Sequence, residues 1–347
     1  MDLFPKFYWE NREGDLAIAG CGIGPHNPSG CTFTWRSFCS KMGEEWEDFS
    51  LSSINPRFEM RFENGKIFPS ELAGFTKELS FKRPRIETTV SSHDRSAWIE
   101  HAQDAIRAIR NREFEKVVLA KRVQIDCTAP IDALGLFSHL KQPGQSAFFL
   151  QPTASSAFLG SSPERLYRRK ERLIECDALA GTRLKAKGQE LLQSKKDLHE
   201  FNIVKQTIVE ALIPLCLSEP TTTPTALSTT PTLCHLFSKI SGHLSSGMDD
   251  FSLLKTLHPT PAVGGRPRNA ALSFLEKREP FARGLYAAPI GYIEKSRADF
   301  TVGIRSCLVK GSQAYLFAGT GIVEGSDPET EWEESEQKLL HWRSLFI

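Results

Sequence analysis

Paired cysteines are missing from this sequence. Its eight cysteines (Cys21, Cys31, Cys39, Cys127, Cys176, Cys216, Cys234 and Cys307) are scattered without a CxxC pair. That spacing excludes a zinc ribbon and gives no disulfide framework, so core thiols are expected. An excess of one charge is missing too: 43 basic residues face 42 acidic ones, a formal net charge of +1. Nothing in that balance draws the chain to nucleic acid, an anionic membrane or a polyanionic partner, and a small-molecule partner is expected. No segment approaches the ~18 apolar residues that cross a bilayer, and the start, "MDLFPKFYWENREGD", has no basic stretch followed by an apolar run. A soluble cytoplasmic protein is the expectation. There is no Walker or GxGxxG sequence, which weakens any nucleotide-binding reading.

What is present is a core-forming composition, 40% apolar and 10% aromatic over 347 residues, enough for one large domain or two ordinary ones. From Asp15 to about Ile86 short apolar runs alternate with Gly and Pro, as in "GCGIGPHNPSG", and read as strands joined by turns. A possible cap at Ser91 to Asp94 precedes Trp98, Ala102, Ile106 and Ile109, whose spacing predicts a helix packed on one side. The β-branched run 114–126 and the segments "SAFFLQP", "AFLGSSPERLYRR" and "RLIECDALAGT" read as strands. Residues 187–217 predict a long amphipathic helix, ended by the Pro- and Thr-rich run "SEPTTTPTALSTTPT". A strand over 233–244, two short helices around "HPTPAVGGRP", a strand-rich stretch from Leu285 to Val323 and an acidic helix complete the chain. Without regular βαβ alternation, a large α+β domain of mostly antiparallel sheets flanked by helices is favoured. Residues 1–93 form its strand-rich first part and 94–347 its main region.

The closing helix, "ETEWEESEQK", places Glu331 and Glu334 three apart and Lys338 four further on, so the three share a face. "KKDLHEF" repeats that spacing with Asp197 and Glu200. Two such pairs could form an oxygen cage of the kind that suits Mg²⁺; the commoner reading of Glu and Lys at this spacing is a solvated helix face. Lys116 shares a strand face with Val118 and Ala120. It either reaches into water from a sheet edge or points inward, where desolvation would make it a candidate base. Glu164, in the turn "GSSPERL", is either a surface acid or, in an apolar pocket, a carboxyl that holds its proton for delivery. The turns "ALAGT" and "FAGTGIV" could offer backbone N–H groups to an anion. They hint at two similar halves over too few residues to establish a repeat. Arg305 interrupts an apolar strand and needs an anionic partner, from a side chain or a substrate carboxylate. His235 and His258 lie in apolar surroundings, where hydrogen-bonded core histidines are commoner than ligands.

In order, "KVVLAKR", "GSSPERL", "ALAGTR", "KKDLHEFNIV", "PTLCHL", "LHPTPAVGG", "YAAPIGY", "GIRSC", "AGTGIV" and "ETEWEESEQK" run from about Glu115 to Lys338. This series resembles the chorismate-utilising enzymes, which include the isochorismate, salicylate and anthranilate synthases and aminodeoxychorismate synthase. The resemblance implies that Glu200 and Glu334 hold Mg²⁺ directly, with Asp197 and Glu331 acting nearby. It further implies that Lys338 binds the ring carboxylate of chorismate, that Arg305 and the Gly319 backbone bind the enolpyruvyl carboxylate, that Gly181 and Thr182 shape the ring pocket, and that His235 lies at the substrate. Lys116 stands where water-using members carry a base lysine. Ala180 stands where aminodeoxychorismate synthases often carry a nucleophilic lysine, and Ala262 looks like the isochorismate synthase branch, whose product feeds menaquinone or siderophore synthesis. The implied reaction is addition of water at C2 of chorismate with loss of the C4 hydroxyl, with Lys116 as base and Glu164 as acid. Salicylate synthase is the first alternative, followed by anthranilate synthase component I and a non-catalytic ligand-binding relative. The chain departs from the family pattern at Ala288, where Gly is usual, and at Phe201, where His is common, and its residues before Glu115 match poorly. No amphipathic stripe is left over for an interface, so a monomer is expected.

Overall fold

The computed structural model describes residues 3–24, 30–38, 42–68, 82–230 and 233–346. Cys39, most of the turn in "GCGIGPHNPSG" and the first two residues of "PTLCHL" lie outside them. Six α-helices are described: α1 (Arg95–Arg110), α2 (Ala133–Ser138), α3 (Lys195–Leu212), α4 (Asp250–Leu257), α5 (Arg268–Arg278) and α6 (Pro328–Phe346). Among the described residues none is long and apolar enough to cross a membrane.

Two antiparallel sheets, of eleven and nine described strands, dominate the architecture, as the α+β reading expects. The first strand that bears on the site, Lys116–Cys127, opens with six consecutive buried residues because both of its faces are covered. It pairs with Gln313–Val323 so that Val118 faces Gly321 and Ala120 faces Gly319. Directly opposed residues project from the same face, so the two glycines leave bare backbone beside the Lys116 side chain. In the second sheet Leu173–Leu184 pairs with Leu233–His243, and the register slips between Ala180 and Arg183. Gly181 and Thr182 therefore bulge opposite His235. Gly181 takes φ +67°, a conformation glycine adopts without strain.

The N-terminal strands join these same sheets: Lys6–Glu10 lies between Leu16–Ile23 and Ser146–Gln151, and Thr32–Trp35 pairs with Pro289–Ile293. The principal core includes Trp9, Phe33, Trp46, Trp98, Phe148 and Phe158. A second cluster gathers Leu136, Phe149, Leu339 and Trp342 under α2 and α6. Each large apolar side chain so buried contributes about 1.5–3 kcal/mol. Cys31, Cys127, Cys176, Cys234 and Cys307 are core residues.

Local signals set the helix starts. Asp94 caps α1 by accepting the Ala97 N–H at 2.8 Å, and Asp327 caps α6 through the Thr330 N–H at 2.9 Å, with Pro328 in the first turn where its missing donor costs nothing. The single helix expected over 187–217 is instead a 3₁₀ segment, Lys185–Leu192, followed by α3. Ser194 accepts the Asp197 N–H at 3.2 Å and so restarts the helix just before its acids. The Thr-rich run after α3 forms two short strands, Thr221–Thr222 and Ala226–Thr229, on the edge of Leu233–His243.

Candidate active site

One cavity, about 710 Å³ of atom-free space counted out to its mouth, is lined by Lys116, Glu164, Gly181, Thr182, Glu200, His235, Ala262, Arg305, Gly319, Glu334 and Lys338. This is the size range of small-molecule sites. Of the thirteen residues that the sequence assigns to the site, only Asp197 and Glu331 are absent from its wall; each lies about one helical turn before a carboxylate that is there. His258 is elsewhere, donating Nε2–H to the Ala287 carbonyl at 2.8 Å. Phe201 is fully buried in the core, so the departure from the family pattern at that position does not reach the cavity.

Lys116 points inward. It is 1% exposed, and its Nζ lies 2.9 Å from Glu200 Oε1. The neighbouring glycine makes that possible: a Cβ on Gly321 would stand 2.1 Å from Glu200 Oε1 and 2.9 Å from Lys116 Cε. Burial alone would raise the Glu200 carboxyl, but the Lys116 and Lys196 ammoniums outweigh it and hold the group down at about 2. Glu200 is therefore an anion at any working pH.

Glu164 is also enclosed, 3% exposed, yet its chemistry is opposite. Burial first, then the negative charge of Asp177, pushes its carboxyl up to about 8, against the pull of Lys116, Lys338 and a hydrogen bond from Thr260. It holds its proton at neutral pH.

His235 is fixed by the bulge. Its Nδ1 lies 3.1 Å from the Gly181 carbonyl, which only accepts, so Nδ1 carries the proton. Burial and the nearby Arg305 and Lys338 charges depress its pKa to about 3, leaving Nε2 as an unprotonated acceptor. That buried atom has no partner among the described residues and suits a substrate hydroxyl. Tyr286, which sequence reasoning missed, stacks on Phe317 at 4.9 Å. Burial raises its phenol to about 12, so it stays neutral.

Two cations face the cavity from the other side. Lys338 Nζ donates to the Gly319 carbonyl at 2.8 Å and pairs with Glu334 at 2.6 Å. Arg305 donates to the Lys338 carbonyl at 3.3 Å; among the described residues no carboxylate forms an ion pair with it. Its φ of +51° costs about 1–3 kcal/mol for a non-glycine residue. A guanidinium held on strained backbone, with no ion-paired carboxylate among the described residues, is suited to a ligand carboxylate.

The acids of α3 and α6 meet at Lys196, a residue the sequence reading passed over inside its own "KKDLHEF" motif. Lys196 Nζ lies 2.8 Å from Glu331, 3.5 Å from Glu200 and 3.6 Å from Asp197. Glu334 adds its field to the same ammonium, whose proton is held above its ordinary range despite burial. Asp197 also accepts from Arg183 at 2.8 Å. Burial and the adjacent Glu334 and Glu200 charges raise the Glu331 carboxyl, against the pull of Lys196. Its Oε2 is buried without a partner among the described residues. Three of the acids thus share the Lys196 ammonium, and among the described residues no three Asp, Glu, His or Cys side chains converge as ligands. The donor set still fits Mg²⁺: it is all oxygen, already gathered around one positive charge, and Mg²⁺ needs only one or two carboxylates because it keeps waters.

A family profile described as chorismate binding enzyme matches residues 69–345. A chloroplastic isochorismate synthase from Catharanthus roseus is 39% identical over 265 residues, 73% of this chain and 46% of that protein. The isochorismate synthase MenF of Bacillus subtilis is 36% identical over 333 residues, 87% of this chain and 71% of it. The chain thus spans about half the length of the plant relative and most of the bacterial one. The solved structure of MenF, the menaquinone-specific isochorismate synthase of Escherichia coli, superposes with a TM-score of 0.88 at 27% identity, covering 99% of this chain and 89% of that one. The two-sheet fold, the ordered motifs that line its cavity and these matches agree: the chain belongs to the chorismate binding enzyme family.

Proposed function

We propose that this protein is an isochorismate synthase that adds water to C2 of chorismate and expels the C4 hydroxyl. The observation that carries the reading is the pair of groups in one cavity: the enclosed Lys116 amine beside a permanently ionised Glu200, and the proton-holding carboxyl of Glu164. Lys116, after giving up its own proton, takes one from the attacking water. Glu164 gives its proton to the departing hydroxyl, which leaves as water, so water enters, water leaves and the ring is isomerised. Arg305 and Lys338 neutralise the two carboxylates of the substrate. His235 Nε2 accepts from a ring hydroxyl, and Gly181 and Thr182 bound the ring. Glu200 and Glu334 would hold Mg²⁺, with Asp197 and Glu331 nearby, and the ion when bound would supply a positive charge for the ring carboxylate. The names of the relatives, isochorismate synthases in a plant and in bacteria, support the same substrate.

The test is proton NMR of chorismate incubated with the protein and Mg²⁺, with and without EDTA. Isochorismate that forms only when the metal is present is the expected result. Pyruvate and salicylate would instead make the protein a salicylate synthase, and tight chorismate binding without turnover a non-catalytic relative.

A further inference from the structure

The turn that carries Glu164 is gripped by its backbone. The Glu164 carbonyl accepts from Thr301 Oγ1 at 2.7 Å and from the Val302 N–H at 3.0 Å, and its own N–H donates to Ser162 Oγ at 3.3 Å. The following N–H, that of Arg165, is directed at the carboxylate of Asp177, which is 3% exposed on the adjacent strand. Asp177 is in turn held by Arg12, whose two terminal nitrogens face its two oxygens. Arg12 comes from the turn between Lys6–Glu10 and Leu16–Ile23, strands of the other sheet. The next residue of that turn, Glu13, accepts both terminal nitrogens of Arg165 at 3.0 and 2.7 Å. Two reciprocal ion pairs therefore pin the N-terminal hairpin of one sheet to two neighbouring strands of the other, Arg165–Lys170, which leads out of the Glu164 turn, and Leu173–Leu184, which carries Asp177.

Resting on the reading of Glu164 as the acid, we propose that the Arg12–Asp177 pair is a positioning device for Glu164, setting both the place of that carboxyl and its readiness to give up its proton. The groups around Glu164 show why one is needed. Lys116 reaches it from the first sheet and Lys338 from α6, both favouring loss of the proton, and the Thr260 hydroxyl adds to them. Arg305 is a further cation on the wall, and Tyr286 is a neutral phenol. Asp177 is the opposing charge: an ionised acid beside a second buried carboxyl makes that second group keep its proton. Burial raises the Asp177 carboxyl itself, against the pull of Arg12, Arg165 and the Arg165 N–H, which limit the rise. The pair is not self-cancelling at Glu164, because the carboxylate lies against the very next peptide while the guanidinium lies beyond it.

Asp177→Asn keeps the shape of the side chain and removes its charge. The expected result is a basic limb of kcat/KM displaced to lower pH by about one unit, with kcat at the upper end of the range lost more than KM is raised. Arg12→Gln leaves Asp177 buried without its main partner; it takes up a proton, and the limb moves the same way. A merely structural pair would lower activity evenly across pH and leave the limb in place, which would overturn the proposal. Failure of both variants to fold would overturn it as well, since the pair would then be required for the fold. Glu164→Gln separates the two claims: if that variant stays active, the acid assignment fails; if it is inactive while the Asp177→Asn limb is unmoved, the positioning role alone fails.

Discussion

Asp197 and Glu200 on α3 repeat the spacing of Glu331 and Glu334 on α6, yet the structure treats the two pairs in opposite ways. Glu200 lies 2.9 Å from the Lys116 ammonium and 3.5 Å from that of Lys196 and is held ionised. Among the described residues Glu331 has only Lys196 and the Ser326 hydroxyl, at 2.8 and 2.9 Å; it faces the charges of Glu200 and Glu334 and is pushed toward its neutral form. Equal spacing on a helix decides which side chains share a face. What faces them across the gap decides their charge. The α3 pair is satisfied by the protein's own cations, whereas on α6 Glu334 has Lys338 and Glu331 still has unmet demand for positive charge.

The most drastic way to break that contrast is to remove the cation on the α3 side. Lys116→Ala is expected to cost about 10²–10⁴ in kcat as the base is lost, and Glu164→Gln a similar factor; steady-state turnover within a few-fold of the parent would refute these roles. Next is Gly321→Ala, which forces a methyl group into the Lys116–Glu200 contact. A displacement of that size should lower kcat about a hundredfold while circular dichroism reports an intact fold.

A pH profile sharpens the comparison by reading a third carboxyl. Glu164 acts protonated and its pKa is raised to about 8, so the basic limb of kcat/KM should fall as pH rises through that value. A limb near the ordinary carboxylate range, around 4 to 5, would show that Glu164 is not the acid. The smallest effect is expected for Lys196→Met. Without its shared ammonium the α6 acids repel those of α3, and the metal-free melting temperature should fall by about 2–4 °C. Added Mg²⁺ should restore more stability in this variant than in the parent.

Much of this was written in local sequence. The β-branched run around Lys116, the Asp94 cap and the i, i+3 acids each depend on neighbours a few residues away, and each appears where the sequence puts it. Other features depend on partners far along the chain. The period of two gives Lys116 a face, but only pairing with Gly319 and Gly321, some two hundred residues later, makes that face an enclosed one. "LAGT" and "FAGT" look alike, yet one bulges opposite His235 and the other pairs regularly with the Lys116 strand, a difference set by the partner strands. Lys196 was visible as a charge in a motif and not as the point where three acids meet. Asp177 looked like one polar residue in a strand, because its guanidinium partner lies 165 positions away. Gly321 carried a signal that could have been used: a second glycine two residues after Gly319 keeps one strand face bare.

Mass spectrometry of product formed in ¹⁸O-labelled water tests the central claim most directly. If Lys116 activates solvent water and Glu164 expels the C4 hydroxyl, each isochorismate molecule gains one heavy oxygen, located at C2. Unlabelled isochorismate would mean that the substrate's own hydroxyl migrates, and the assignment of both residues would then be wrong.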